Sequence, residues 1–281
     1  MLKIIMKESF MRFIISSLSC LLLLLHTPES LASSRVSKVV TTEHLEWGYL
    51  NPLRGKLSPG AVNLWGDRTK NSATGMLVRF KKGFESPPHI HNITYRGVVI
   101  DGLLHNDDPS AEKMWMPRGS YWTQPAGESH ITAASGNTNM IYLEIDSGPY
   151  LVRPMDQAFD NGERPLNLHK NNIVWLDQKA ASYLKSPNVR ATQLWRSDNA
   201  VSGYMIKLPK KFNGVIVSKA SEFRAVVISG QVSYRSSEQN VITLDAGSYI
   251  ESTAALDHFV TTPNNEDVIL YIRTDNQFEI R

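Results

Sequence analysis

One offset constrains this chain more than any other feature. Gly75-Met76-Leu77-Val78-Arg79-Phe80 recurs as Gly203-Tyr204-Met205-Ile206-Lys207-Leu208. Gly97-Val98-Val99-Ile100-Asp101-Gly102 recurs as Ala225-Val226-Val227-Ile228-Ser229-Gly230. Gly119-Ser120-Tyr121 returns as Gly247-Ser248-Tyr249, and His130 falls opposite His258. All of these pairs lie 128 residues apart, as do Trp47 with Trp175 and Ser58-Pro59 with Ser186-Pro187; Trp65 and Trp195 slip by two. A period held over separate segments marks a tandem duplication. The join is expected near residues 160 to 170, where Asn161-Gly162 and Pro165 supply turn chemistry.

Within each copy the pattern is that of short strands. Met76 to Phe80, Tyr95 to Ile100, Met140 to Ile145 and Val268 to Ile272 are rich in β-branched and aromatic residues, with Gly, Pro, Asn and Asp clusters between them. Asp177 to Leu184 is expected as a short helix, and Asn106-Asp107-Asp108-Pro109 as a solvated turn. Many short strands with Gly/Pro turns give an all-β chain of sandwiches or closed barrels.

The chemistry is concentrated in the first copy, which contains Gly83-x5-His89-x-His91-x3-Tyr95-x6-Gly102 and then Gly119-x5-Pro125-x-Gly127-x2-His130. Alternate residues of a strand project from one face, so His89 and His91 aim at one point. Pro125-Ala126-Gly127 is a turn that brings in the strand from which His130 reaches the same point. Three imidazoles so placed suit a divalent transition metal, at about 2.0–2.1 Å per nitrogen for zinc.

These spacings resemble the paired signature of the cupin superfamily, and the Trp65-Gly66-Asp67 and Ser120-Tyr121-Trp122 segments resemble the ChrR-like group within it. The resemblance implies tandem double-stranded β-helix (jelly-roll) barrels, a bicupin, with residues 33–165 as a metal-binding N-terminal cupin and 166–281 as a degenerate C-terminal one. It also implies Fe(II) or Zn, with Mn or Ni as further candidates, a small-molecule ligand and a homodimer. Two identities depart from the family pattern: Tyr95 stands at the glutamate ligand's position and Ala134 at the final asparagine's. A phenol is longer than a carboxylate and neutral at its ordinary pKa near 10. Tyr95 is therefore expected to orient substrate as a catalytic residue, without ligating the metal. Arg79, Gln124 and Trp122 are expected substrate contacts. Shifted by 128, His89 becomes Val217, His91 Lys219, Tyr95 Phe223, Pro125 Thr253 and Gly127 Ala255, so the second copy keeps its strands and His258 but no metal site.

Composition narrows the function class. Lys3, Lys7 and Arg12 precede an apolar run from Phe13 to Leu25, and Ser30-Leu31-Ala32 offers small residues for a cut. This is the pattern of a secretory signal, residues 1–32, which implies a secreted, most simply periplasmic, protein with no membrane attachment after cleavage. Removing it takes the net charge from +3 to +2, too little for a nucleic-acid footprint. The single cysteine, Cys20, leaves with it, which excludes disulfides and thiolate chemistry in the mature chain. Two readings remain. One is a three-histidine non-haem dioxygenase of a small organic acid or diketone, since some cupin dioxygenases acting on thiols or β-diketones use such iron sites. The other is a non-catalytic metal- or ligand-binding cupin with a structural or sensing role. An open pocket with aromatic walls would favour the enzyme.

Overall fold

The computed structural model describes residues 37–236, 240–263 and 265–281, so the expected signal segment lies outside the described residues. The duplication reappears strand for strand. Thr74–Phe80 and Ser202–Leu208 are equivalent, as are Tyr95–Asp101 and Phe223–Ser229, and Tyr121–Gln124 and Tyr249–Ser252, all at the 128-residue offset. Even the bulges repeat. Ile100 is skipped where Tyr95–Asp101 pairs with Asn139–Ile145, and Ile228 where Phe223–Ser229 pairs with Val268–Thr274. Gly102 and Gly230, both at positive φ, turn the chain after those bulges, a conformation glycine adopts without steric cost.

Each copy closes a larger sheet over a smaller one. The first combines a seven-stranded and a four-stranded sheet, and the second a six-stranded and a five-stranded sheet. The result is two antiparallel jelly-roll barrels. Alternation along the strands sorts the side chains between two cores. Met76, Val78, Val99, Ile141 and Leu143 face the first barrel's interior. Their neighbours Leu77, Val98, Ile100 and Tyr142 face outward, against Met205, Val226, Ile228 and Tyr271 of the second copy. The larger sheets therefore pack on one another, and the Val-Val-Ile runs are apolar at every position because both faces of the sheet are buried.

The two copies also exchange their leading strands. Ser37–Val40 pairs with Tyr249–Ser252 in the second barrel, and Leu166–Leu168 pairs with Tyr121–Gln124 in the first. Val40 sits opposite Tyr249 as Leu168 sits opposite Tyr121. The join near residue 165 in the chain is thus bridged in space by a strand from each side.

Two local expectations are corrected. Residues 177–184 form turns in place of a helix, with the Asp177 carboxylate accepting from the Lys179 and Ala180 amides. Asn106 is not in a solvated turn; it ends up 2% exposed on the strand Leu103–Asp107, and the turn begins two residues later.

Candidate metal centre

His89 and His91 sit on a three-residue strand, His89–His91, which pairs with Val152–Pro154; His89 also bridges to His130. The register delivers what the spacing requires: the ligand nitrogens of His89, His91 and His130 all lie within 4.8 Å of one another. Each ring is oriented from behind. The Nδ1 atoms donate to the carbonyls of Pro87 at 2.8 Å, Leu151 at 3.1 Å and Glu128 at 3.1 Å, respectively. A carbonyl only accepts, so each ring proton resides on Nδ1 and the Nε2 lone pair is free to ligate. Burial keeps all three rings neutral. It holds His130 down at about 3, aided by the His89 ring, His91 well below the ordinary histidine range, and His89 below it less strongly.

Behind the rings runs a directed chain of hydrogen bonds. Gln124 Nε2 donates to the Glu128 carbonyl at 3.1 Å, so its Oε1 accepts from Asn106 Nδ2 at 2.8 Å. Asn106 Oδ1 then accepts from both the Tyr95 hydroxyl at 2.9 Å and the Thr132 hydroxyl at 2.8 Å. The one proton of Tyr95 is thereby committed to Asn106. Its oxygen nevertheless lies 3.2 Å from His130 Nε2, so a phenol lone pair faces an imidazole lone pair. A cation held by His130 would take up the imidazole lone pair and relieve that opposition, and three neutral imidazoles are a donor set that divalent transition metals accept. The residues therefore fit a metal. Burial raises the Tyr95 phenol well above its ordinary range, which keeps it protonated.

The site opens into a cavity of about 600 Å³ lined by Val78, Phe80, Phe84, Trp122, Ile141, Leu143 and Tyr150. Among its described lining residues there is no aspartate or glutamate, whereas Arg54 and Arg153 border it. Trp122 lies flat on Gly97, its cross-strand partner, where any Cβ would overlap the indole ring.

Of the residues expected at the site, His89, His91, His130, Tyr95 and Trp122 are brought together, and Gln124 stands behind Asn106. Arg79 is not brought there. Its side chain lies on the opposite face of its strand, over the Trp47 ring at 4.3 Å, because Val78 and Phe80 take the inward positions. Asn106 and Tyr150 escaped the sequence reading, since neither falls within the paired motif. In the second barrel, His258 has both ring nitrogens taken, Nδ1 by the Tyr234 hydroxyl at 2.9 Å and Nε2 by the Ser252 hydroxyl at 3.2 Å. Its ring stacks on Phe223, and Ile206, Leu208, Phe212, Val227 and Phe278 fill the surrounding core.

Solved structures with this architecture span several activities. A protein from Nostoc punctiforme described as a candidate dioxygenase superposes with a TM-score of 0.65 at 14% identity, over 86% of this chain and 84% of that one. Salicylate 1,2-dioxygenase from Pseudaminobacter salicylatoxidans gives 0.57 at 12%, over 86% and 84%. The 7S globulin of Momordica charantia gives 0.56 at 12%, over 85% and 84%. A dioxygenase and a globulin share the fold, so these likenesses show the double jelly-roll architecture and leave the reaction open. No curated protein matches the sequence. Residues 38–281 match the family model described as Domain of unknown function (DUF4437), and this chain, two jelly-roll barrels with one three-histidine cluster among the described residues, belongs to that family.

Proposed function

We propose that the protein is a metal-dependent dioxygenase acting on a small organic acid or diketone, with Fe(II) held by His89, His91 and His130. Zinc is the alternative occupant. One observation carries the reading: His89 and His91 line an open, aromatic-walled cavity whose described lining has no carboxylate, and the His130 ligand nitrogen lies within 4.8 Å of theirs. When bound, the metal supplies a Lewis acid and a template for oxygen donors. The chain's own residues do the rest. Three neutral histidines leave the dication's charge uncompensated, which favours an anionic or enolisable ligand. Phe80, Phe84 and Trp122 offer apolar walls to its body and exclude water from the floor. The salicylate 1,2-dioxygenase provides a precedent for an aromatic acid on this fold. Within the cupins we place the chain near the ChrR-like group, on its Trp65-Gly66-Asp67 and Ser120-Tyr121-Trp122 segments. We also propose export and cleavage after Ala32, testable by the N-terminal mass of the protein recovered from the periplasm.

The test is oxygen consumption by the Fe(II)-loaded protein across a panel of β-diketones, aromatic acids and aliphatic acids. Uptake above the metal-only background is expected with at least one class, and its loss in His91→Ala. A fully loaded protein inert toward the whole panel would contradict the enzyme reading and leave a metal-binding cupin.

A further inference from the structure

Two tyrosine oxygens border the three-histidine cluster, and their protons are disposed differently. The Tyr95 hydroxyl donates its hydrogen bond to Asn106. Tyr150 makes no such bond. Its hydroxyl lies 3.2 Å from His91 Nε2, and this is its sole hydrogen-bond contact among the described residues. Since the His91 proton is fixed on Nδ1 by the Leu151 carbonyl, Tyr150 must be the donor in that pair. A metal on His91 would take the same lone pair and leave the Tyr150 O–H free beside the cavity that it lines.

The chain holds that hydroxyl in place with some care. The Tyr150 ring stacks on His91, with centroids 4.4 Å apart and planes at 25°. The Tyr150 amide donates to the Arg68 carbonyl at 2.8 Å. Asn92, the residue after His91, grips both neighbours of Tyr150. Its Nδ2 donates to the Pro149 carbonyl at 2.9 Å, and its Oδ1 accepts from the Leu151 amide at 2.9 Å. The same segment then continues into Val152–Pro154, paired with the histidine strand. Tyr150 is therefore fixed relative to His91 by contacts on both sides. The same cavity is lined by another donor residue, Trp122, 1% exposed, whose indole N–H is without a hydrogen-bond partner among the described residues.

We infer that Tyr150 is the hydrogen-bond donor that orients an oxygen atom of the ligand at the three-histidine centre, and that Tyr95 presents an acceptor there. The inference rests on the proposed metal site and assigns the donor within it. Removing the Tyr150 hydroxyl has two consequences of opposite sign. The metal no longer competes with a phenol for His91, so its affinity stays level or rises. A ligand oxygen loses its donor, so ligand affinity falls.

The experiment titrates Co(II) into wild type, Tyr150→Phe and Tyr95→Phe, then titrates acetohydroxamate into each loaded protein and follows the cobalt absorption. Phenylalanine keeps the ring stacked on His91; Tyr150→Leu is the second variant, should the first fail to fold. For Tyr150→Phe, Co(II) affinity is expected unchanged or tighter, with acetohydroxamate weakened about tenfold or more, the scale of a hydrogen bond to a charged oxygen. Tyr95→Phe should weaken acetohydroxamate by no more than about threefold, well short of that loss. Equal acetohydroxamate binding by Tyr150→Phe and wild type would overturn the inference. So would a parallel loss of Co(II), which would make Tyr150 a prop for His91. Failure of wild type to take up Co(II) would overturn the metal site itself, a separate result.

Discussion

At the scale of single residues, the two copies show what makes a histidine a ligand. His130 spends Nδ1 on a backbone carbonyl and keeps Nε2 toward its partners, whereas His258 spends both nitrogens on Tyr234 and Ser252. Asn106 and Gln124 occupy the first-copy positions that Tyr234 and Ser252 take in the second. The substitutions fill a site as well as emptying it of ligands. His258 then has a signature in stability. Burial holds its folded pKa at about 4, against 6.5 unfolded. Below pH 6.5 the unfolded chain binds a proton that the folded chain refuses, so stability falls as the pH drops toward about 4 and then levels off. His258→Gln should lessen this fall by on the order of 3 kcal/mol, given ~1.4 kcal/mol per tenfold. Urea unfolding at pH 7 and near pH 4 measures it, and identical pH dependence in both proteins would contradict the account.

At the scale of elements, the paired motif made the histidine strand and the turn before His130 legible, because each is set by local spacing. Asn106-Asp107-Asp108-Pro109 carries turn chemistry, and the turn does form, but two residues after Asn106, which the strand Leu103–Asp107 claims. Tyr150 gave no local signal; its role depends on a segment folding back onto His91. The exchange of Ser37–Val40 and Leu166–Leu168 was invisible for a related reason, since short strands take their partners from tertiary packing. Gly97 shows how one element fixes the pocket wall. Trp122 covers it from the neighbouring strand, whereas the second copy tolerates Ala225 opposite Ile250. Gly97→Ala should therefore cost about 1–3 kcal/mol by overpacking, read from thermal or urea unfolding. A variant as stable as wild type would show that Trp122 yields easily.

At the scale of the whole molecule, the barrels are joined by a core that neither could bury alone. Tyr142 and Tyr271, equivalent residues, face one another at 5.3 Å and both donate to Glu144, at 2.9 and 2.6 Å. Glu144 and Arg273 are themselves equivalents, and they form an ion pair at 3.5 Å, exposed by only 1% and 8%. Two identical subunits would place like charges at this position. Duplication lets one copy carry the acid and the other the base, which makes the pairing specific to the fused chain. Breaking such a pair from one side leaves a buried charge, so Arg273→Met should destabilise by about 3–5 kcal/mol. Glu144→Gln combined with Arg273→Met should cost less than the two single changes together, in a double-mutant cycle by urea unfolding. Additive effects would mean that the pair is not coupled across the interface.

The central claim is a single metal centre in the first barrel. Elemental analysis of the protein purified from its native compartment tests it most directly, alongside His91→Ala and His258→Ala. The expected result is about one transition-metal atom per chain in wild type and in His258→Ala, and well below that in His91→Ala. Full metal retention by His91→Ala, or loss of the metal in His258→Ala, would contradict it.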